Sequence, residues 1–309
     1  MTNLNKNSKK AFSLVEISIV ILIIGLLIAG ISKASDLIFD ANIASGRSIT
    51  KSAKVNRMPN LVLWLETTLA ESIKDSERGG TVTIWRDINP QSTTKFIFRN
   101  SGGTPQYVEP GKNLPAIGSL SATNFFTVGT EASTTVLSQK VNDIFTSANA
   151  TIFMVLKSPT TPVDANLFTF CPVFAGCAAG TQISLSLASG KPTFIFPSGT
   201  GASVTATTTN NYFGTVPNVI IVSALKDSAG NKIAVNGASA LGTAANNAAT
   251  ELPVTFDTAT FKIGGVGTAT GVEIYEIIVF SSALGEGDRQ SVESYLSKKY
   301  NTPVVKATL

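Results

Sequence analysis

The sequence predicts an α+β chain: one long N-terminal helix, then an antiparallel β-sandwich, then a short C-terminal helix. Three observations carry this. Residues 12–31 are almost wholly apolar, with Ser13, Glu16 and Ser18 as the polar exceptions. After Pro59 the pattern turns to short apolar runs broken by turn residues, the signature of a many-stranded β-domain. Between Asp288 and Tyr300, Val292, Tyr295, Leu296 and Lys299/Tyr300 return at helical spacing, and Pro303 follows as a stop.

Composition narrows the function classes. The chain has 309 residues and 32.3 kDa, enough for an appendage and one large β-domain. Its net charge is +4 and its pI about 9.0. Only 14% of residues are charged, against roughly 25% in an average soluble domain. Nucleic-acid binding, which needs a cation for each phosphate contact, is therefore not expected. Histidine is absent, which removes Ser-His-Asp and Cys-His catalysis and His-ligated zinc. The charge is also uneven. Residues 1–11 carry +3, residues 12–57 carry +2, and residues 58–309 carry −1.

The apolar run comes first in the chain. At 1.5 Å per residue, residues 12–31 span roughly 30 Å, the thickness of a bilayer core. No small-residue cleavage pattern follows the run, as it would in an ordinary secretory signal. Glu16 stands at the mouth of the run, where an ionisable group costs several kcal/mol unless paired and marks a functional residue. Lys9-Lys10-Ala11 followed by Phe12-Ser13-Leu14-Val15-Glu16 resembles the type IV prepilin leader. That resemblance implies cleavage between Ala11 and Phe12 by a prepilin peptidase, and N-methylation of Phe12. It also implies pairing of Glu16 with the Phe12 amine of a neighbouring pilin subunit. The family most often has Gly before the cut; Ala11 is a small substitute, expected to be processed less efficiently. The basic leader puts the C-terminal bulk outside the bacterial inner membrane, on the way to a pilus or the cell surface.

Beyond residue 31 the helix is expected to continue as a stem. Ile31, Ala34, Ile38 and Ala41 keep a helical face, Gly46 loosens it, and Pro59 closes it. The expected division is a leader at 1–11, a transmembrane and stem helix at 12–58, and a β-domain at 59–309.

In that domain Leu61 to Leu65 and Thr81 to Trp85 open the strand series. Ile183, Leu185 and Leu187 alternate with Ser184 and Ser186, the period of a strand with one buried face. Asn236-Gly237 marks a hairpin. Val272 to Phe280 is apolar on both faces and reads as a central strand. The opening Pro59 to Leu65, the segment Val82 to Asp87, and the ending from Glu273 to Phe280 through Val292 to Tyr300 together resemble the concanavalin A-like, laminin G-like jelly-roll family. That resemblance implies carbohydrate or protein ligands, sometimes through Ca²⁺.

The candidate sites in the β-domain are weak. Hydrolysis of glycans by retention needs two carboxylates about 5–5.5 Å apart. Glu273 and Glu276 lie three apart, so on a regular strand they face opposite ways, and an enzyme is not expected. Asp227 to Asn231 and Asp87-Ile88-Asn89 are oxygen-rich, as a Ca²⁺ site requires, yet both also read as Asx turns. No cofactor is expected. Trp64 and Trp85 sit in apolar strands and read as core rather than sugar platforms; Tyr107 is ambiguous. Cys171 and Cys177 fall on the outer side, where disulfides persist, and a bridge between them would stabilise by about 2–3 kcal/mol. The sequence as a whole points to a minor pilin that presents a binding sandwich for adhesion or surface recognition. The alternatives are a pseudopilin of a type II secretion system and a membrane-tethered glycan hydrolase.

Overall fold

A computed structural model of the chain describes residues 13–93, 95–109, 114–129, 149–157, 161, 163–171, 182–197, 203–212, 219–239, 241–244, 260–264 and 271–307. Helix α1 runs Leu14–Lys51. Its first half is apolar on every side and wholly exposed, while Ile43 near its C-terminal end is buried. The helix stops before Pro59. Ser52 caps it, and a short 3₁₀ turn, Lys54–Arg57, leads into the β-domain. Asn56 causes the early stop, because its side-chain amide donates to the carbonyls of Thr50, Lys51 and Ala53.

The strands follow as β1 (Leu61–Glu66), β2 (Ile84–Arg86), β3 (Ile97–Gly102), β4 (Gln106–Val108), β5 (Ala116–Gly118) and β6 (Phe125–Gly129). Next come β7 (Ala150–Lys157), β8 (Ala165–Cys171), β9 (Ile183–Ala188), β10 (Lys191–Pro197), β11 (Ser203–Thr208) and β12 (Val219–Asp227). The last are β13 (Gly230–Val235), β14 (Ala238–Ser239), β15 (Leu241–Ala244), β16 (Thr260–Gly264) and β17 (Glu273–Phe280), and helix α2 (Glu286–Tyr300) ends the fold. They form two antiparallel sheets. One orders β14-β13-β12-β7-β17-β5-β4, with β1 also on β17; the other orders β15-β11-β10-β9-β8-β16-β6-β3-β2.

The strand β17 is central, as its two apolar faces require: it pairs with β7 along one edge and with β1 and β5 along the other. Two cores result. The larger lies between the sheets and holds Trp85, Phe98, Phe126, Phe168, Phe170 and Phe261. The smaller lies on the outer face of the first sheet, where Trp64, Phe153, Tyr275, Ile278 and Phe280 meet Val292, Tyr295 and Leu296 of α2. Three of the bulkiest rings in the larger core stack edge to face, with Phe168 at 4.5 Å and Phe98 at 4.8 Å from Phe261.

The β13–β14 hairpin turns through Asn236 and Gly237, both with positive φ (51° and 76°), the geometry that the Asn-Gly pair favours. A side chain at Gly237 would collide with the carbonyl of Val305, because the C-terminal segment crosses the turn and Val305 donates to Asn236 at 2.8 Å. The expected division at 11 and 58 rests on the sequence, and residues 1–12 lie outside the described residues.

Candidate assembly site and the stem–head junction

The N-terminal turn is built by a short polar device. Ser13 is the N-cap of α1; its hydroxyl accepts from Val15, and Glu16 reaches back so that Ser13 N–H donates to its carboxylate at 2.8 Å. This is a capping box, legible as Ser-x-x-Glu. In the sequence Glu16 stands as a lone charge; in the folded turn it is half of this box. Ser18 hides its hydroxyl by donating to the Leu14 carbonyl, so beyond Glu16 the exposed run from Ile17 to Ile31 presents hydrocarbon around its whole circumference. Ala11 and Phe12, the expected processing pair, lie outside the described residues.

Further along, α1 is fixed to the β-domain. Gly46 does not loosen the helix; its bare Cα lets α1 approach Leu114 and Thr68, whose methyls would sit 3.1–3.3 Å from any added Cβ. One helical turn of polar anchors follows from this contact. Arg47 donates to the Thr68 carbonyl at 2.6 Å and to Asp75 at 2.7 Å. Arg78 reaches Asp40 at 3.1 Å and covers the Phe39 ring at 5.7 Å.

Under α2 lies a buried charge network. Lys299 Nζ donates to Glu66 Oε2 at 2.9 Å and to Glu276 Oε2 at 2.8 Å, and all three side chains are fully enclosed. Trp64 Nε1 (2.6 Å) and the Tyr295 hydroxyl (2.7 Å) donate to the other Glu276 oxygen. The Tyr300 hydroxyl donates to Oε2 at 2.8 Å. Glu66 also accepts from Thr68 and from Leu69 N–H, tightening the turn after β1. Thr50 of α1 closes the circle against the Tyr295 hydroxyl at 3.3 Å. Four segments therefore meet in one network: stem helix, β1, β17 and α2.

Electrostatics keep Glu66 and Lys299 charged at neutral pH. Burial alone would raise the Glu66 carboxyl, but the Lys299 charge and the hydrogen bonds from Thr68 and Leu69 outweigh it and hold it below the ordinary range. Burial alone would lower Lys299, but the charges of Glu276 and Glu66 hold it above its ordinary value. Burial and the Glu276 charge push the Tyr295 and Tyr300 phenols well up, so both remain donors.

The sequence-predicted residues fall out as follows. Trp64 and Trp85 are fully buried, and Tyr107 joins the larger core with its hydroxyl on the Thr67 carbonyl. Glu273 and Glu276 do not face opposite ways. A bulge in β17 between Ile274 and Glu276 adds a residue, so Glu273, Tyr275 and Glu276 all lie on the α2 side, away from Ile274 and Ile277 in the larger core. Neither is a solvated edge carboxylate: Glu273 pairs with Lys157 at 2.8 Å, and Glu276 is sealed in the network.

The oxygen-rich segments form the Asx turns that their residue types favour. Asp227 accepts from Ala229 N–H and pairs with Lys232 at 2.9 Å. Asp87 accepts from Trp64 and Asn89 N–H, each at 2.9 Å. Both carboxylates bond to the chain itself, while the Asn231 side-chain oxygen is buried with no hydrogen-bond partner. No group of three or more acidic, Cys or His residues suited to a metal occurs among the described residues. Cys177 and the side chain of Cys171 lie outside the described residues, and no disulfide is found among those residues.

Comparison with known proteins agrees with both halves of this architecture. The prokaryotic N-terminal methylation motif matches residues 6–32, the prepilin-type segment that enters α1. No curated protein matches the chain. Among solved structures, the chain is similar to the binding domain of Paraclostridial Mosquitocidal Protein 1, with TM-score 0.53 and 12% identity over 78% of this chain and 53% of that one. It is also similar to the receptor binding domain of botulinum neurotoxin D, with TM-score 0.50 and 13% identity over 78% and 53%. The chain spans about half the length of these structures, and at such identity the likeness shows the fold alone: a β-sandwich of the kind found in binding domains. The methylation motif supports a type IV pilin or a pseudopilin. It implies processing by a prepilin peptidase and assembly with other pilins.

Proposed function

We propose that the chain is a minor type IV pilin whose sandwich is displayed for adhesion or surface recognition. The observation that carries this is the continuity of one helix. The first half of α1 lies within a methylation motif and is bare hydrocarbon beyond Glu16; the second half is bonded into the binding-type sandwich through Arg47, Gly46 and Thr50. Such a helix couples the head rigidly to whatever lattice the apolar half enters. In this reading the helix lies in the inner membrane with the head outside, and Glu16 leaves its own capping box to pair with the Phe12 amine of a neighbouring subunit. The head binds its ligand without catalysis and without a metal ion.

Deletion of the chain tests the reading. Loss of surface attachment with secretion intact is expected; loss of secretion with attachment intact would make the chain a pseudopilin of a type II secretion system. Turnover in a glycan-hydrolysis screen of the detergent-solubilised chain would overturn the binding role.

A further inference from the structure

Lys299 meets more than an ion pair needs. Its ammonium touches Glu66 Oε2 at 2.9 Å and Glu276 Oε2 at 2.8 Å, with all three side chains fully enclosed. Charges taken out of water are costly even when paired, and a neutral covalent bond between amine and carboxyl removes that cost for one pair. Groups packed into contact also react as parts of one molecule, without the entropy of encounter.

The two carboxylates are held differently. Glu66 accepts from Thr68 and from Leu69 N–H, which anchors it to the turn after β1. Glu276 has its oxygens sorted. Oε1 accepts from Trp64 Nε1 at 2.6 Å and from the Tyr295 hydroxyl at 2.7 Å. Two fixed donors on one oxygen stabilise the negative charge that develops there when a nucleophile attacks the carbon. Oε2 lies between the Lys299 ammonium and the Tyr300 hydroxyl, each at 2.8 Å, where it can be protonated and leave. Lys299 and Tyr300 also line a cavity of about 330 Å³ between α1 and α2, with Asn42, Ser45 and Asn301. It is polar and ample for a released water.

We propose that Lys299 and Glu276 condense into an intramolecular amide, with Glu66 as the proton carrier. The ion network is the state before reaction. Glu66 takes one proton from the ammonium and passes it to Glu276 Oε2, which leaves a free amine facing a neutral carboxyl group. The bond from Nζ to Cδ then forms, with the charge on Oε1 held by Trp64 and Tyr295. A second nitrogen proton travels through Glu66 to Oε2, the bond from Cδ to Oε2 breaks, and one water departs. The third proton stays on the amide nitrogen, and Glu66 ends as the carboxylate it was. No oxidant, reductant or cofactor enters. The link ties β17 to α2, whose Tyr295 meets Thr50 of α1, and so pins the place where the stem leans on the head.

Mass spectrometry of the detergent-solubilised full chain tests the bond. The parent is expected to be lighter by one water than its mature sequence requires. Trypsin is expected to leave Lys299 uncut and to release a branched peptide that joins it to Glu276. Lys299→Arg keeps the cation without the attacking amine and is expected at its full mass. Glu66→Gln keeps the shape without the proton carrier and is expected to lose most of the cross-link. A parent at full mass, with Lys299 and Glu276 in separate peptides, would overturn the proposal. A branched peptide through Glu66, or an undiminished cross-link in Glu66→Gln, would overturn the roles given to the two carboxylates.

Discussion

Lys299 is the residue on which the junction turns. It pairs with two carboxylates that meet no other cation among the described residues, in a place closed to water. Breaking a buried pair on one side leaves an uncompensated charge and costs about 3–5 kcal/mol. Lys299→Met is therefore expected to lower the stability of the head by that amount, read as a shift in the urea midpoint. Asp87 behaves differently. Burial pushes its carboxyl up to about 6, against the backbone donors of Asn89 and Trp64. Between the ordinary carboxylate range and about pH 6 the folded chain holds a proton that the unfolded chain has lost, so stability falls as pH rises through that window, by about 3 kcal/mol. Asp87→Asn keeps the acceptor and discards the charge; its denaturation profile between pH 4 and 7 is expected to be the flatter one. The helical spacing of α2 put Lys299 on the inward face, but nothing near it in sequence announced the partners: Glu66 is 233 residues away. Ser13 was the reverse case, a local signal in plain view whose meaning came from a single turn of helix.

At the scale of elements, α1 is two helices in one. Its apolar half needs an apolar surrounding; its second half is held by shape at Gly46 and by Arg47 and Arg78. Gly46→Leu is expected to force α1 away from Leu114 and Thr68, destabilising by about 1–3 kcal/mol and opening residues 36–50 to limited proteolysis. Arg78→Ala removes only partly exposed interactions and is expected to cost under about 1 kcal/mol, with the same proteolysis assay showing little change.

Strands with clean alternation or a fully apolar run, such as β9 and β17, were legible because burial writes its period into the side chains. Of Thr81 to Trp85 only the end became β2, with Thr81 reduced to a single bridge to Gln106. The short β4 and β5 carry too few residues to show a period at all. The bulge in β17 was equally hidden, since it depends on how β7 pairs and not on the residues of β17 alone. The helical run reaches Arg57, just short of Pro59, but its last turn tightens to 3₁₀ where the Asn56 side chain takes the carbonyls of Thr50, Lys51 and Ala53.

Across the whole molecule the uneven charge makes sense. The positive excess belongs to residues 1–57, while the head is close to neutral, so the basic pI comes from the N-terminal segment and not from the sandwich. The candidate site was only partly legible. The N-terminal motif is a linear signal and could be read residue by residue; the junction network is assembled from helices and strands far apart in sequence and could not.

The central claim is that α1 is a processed, assembling pilin helix. Glu16→Ala is expected to leave membrane insertion intact and to abolish incorporation into filaments, as seen by fractionation of sheared surface material. The most direct measurement is the N-terminus of the mature chain, by mass spectrometry of protein recovered from cells. A chain beginning at Phe12, one methyl group heavier than its residues, is the result expected; a chain beginning at Met1 would contradict the account.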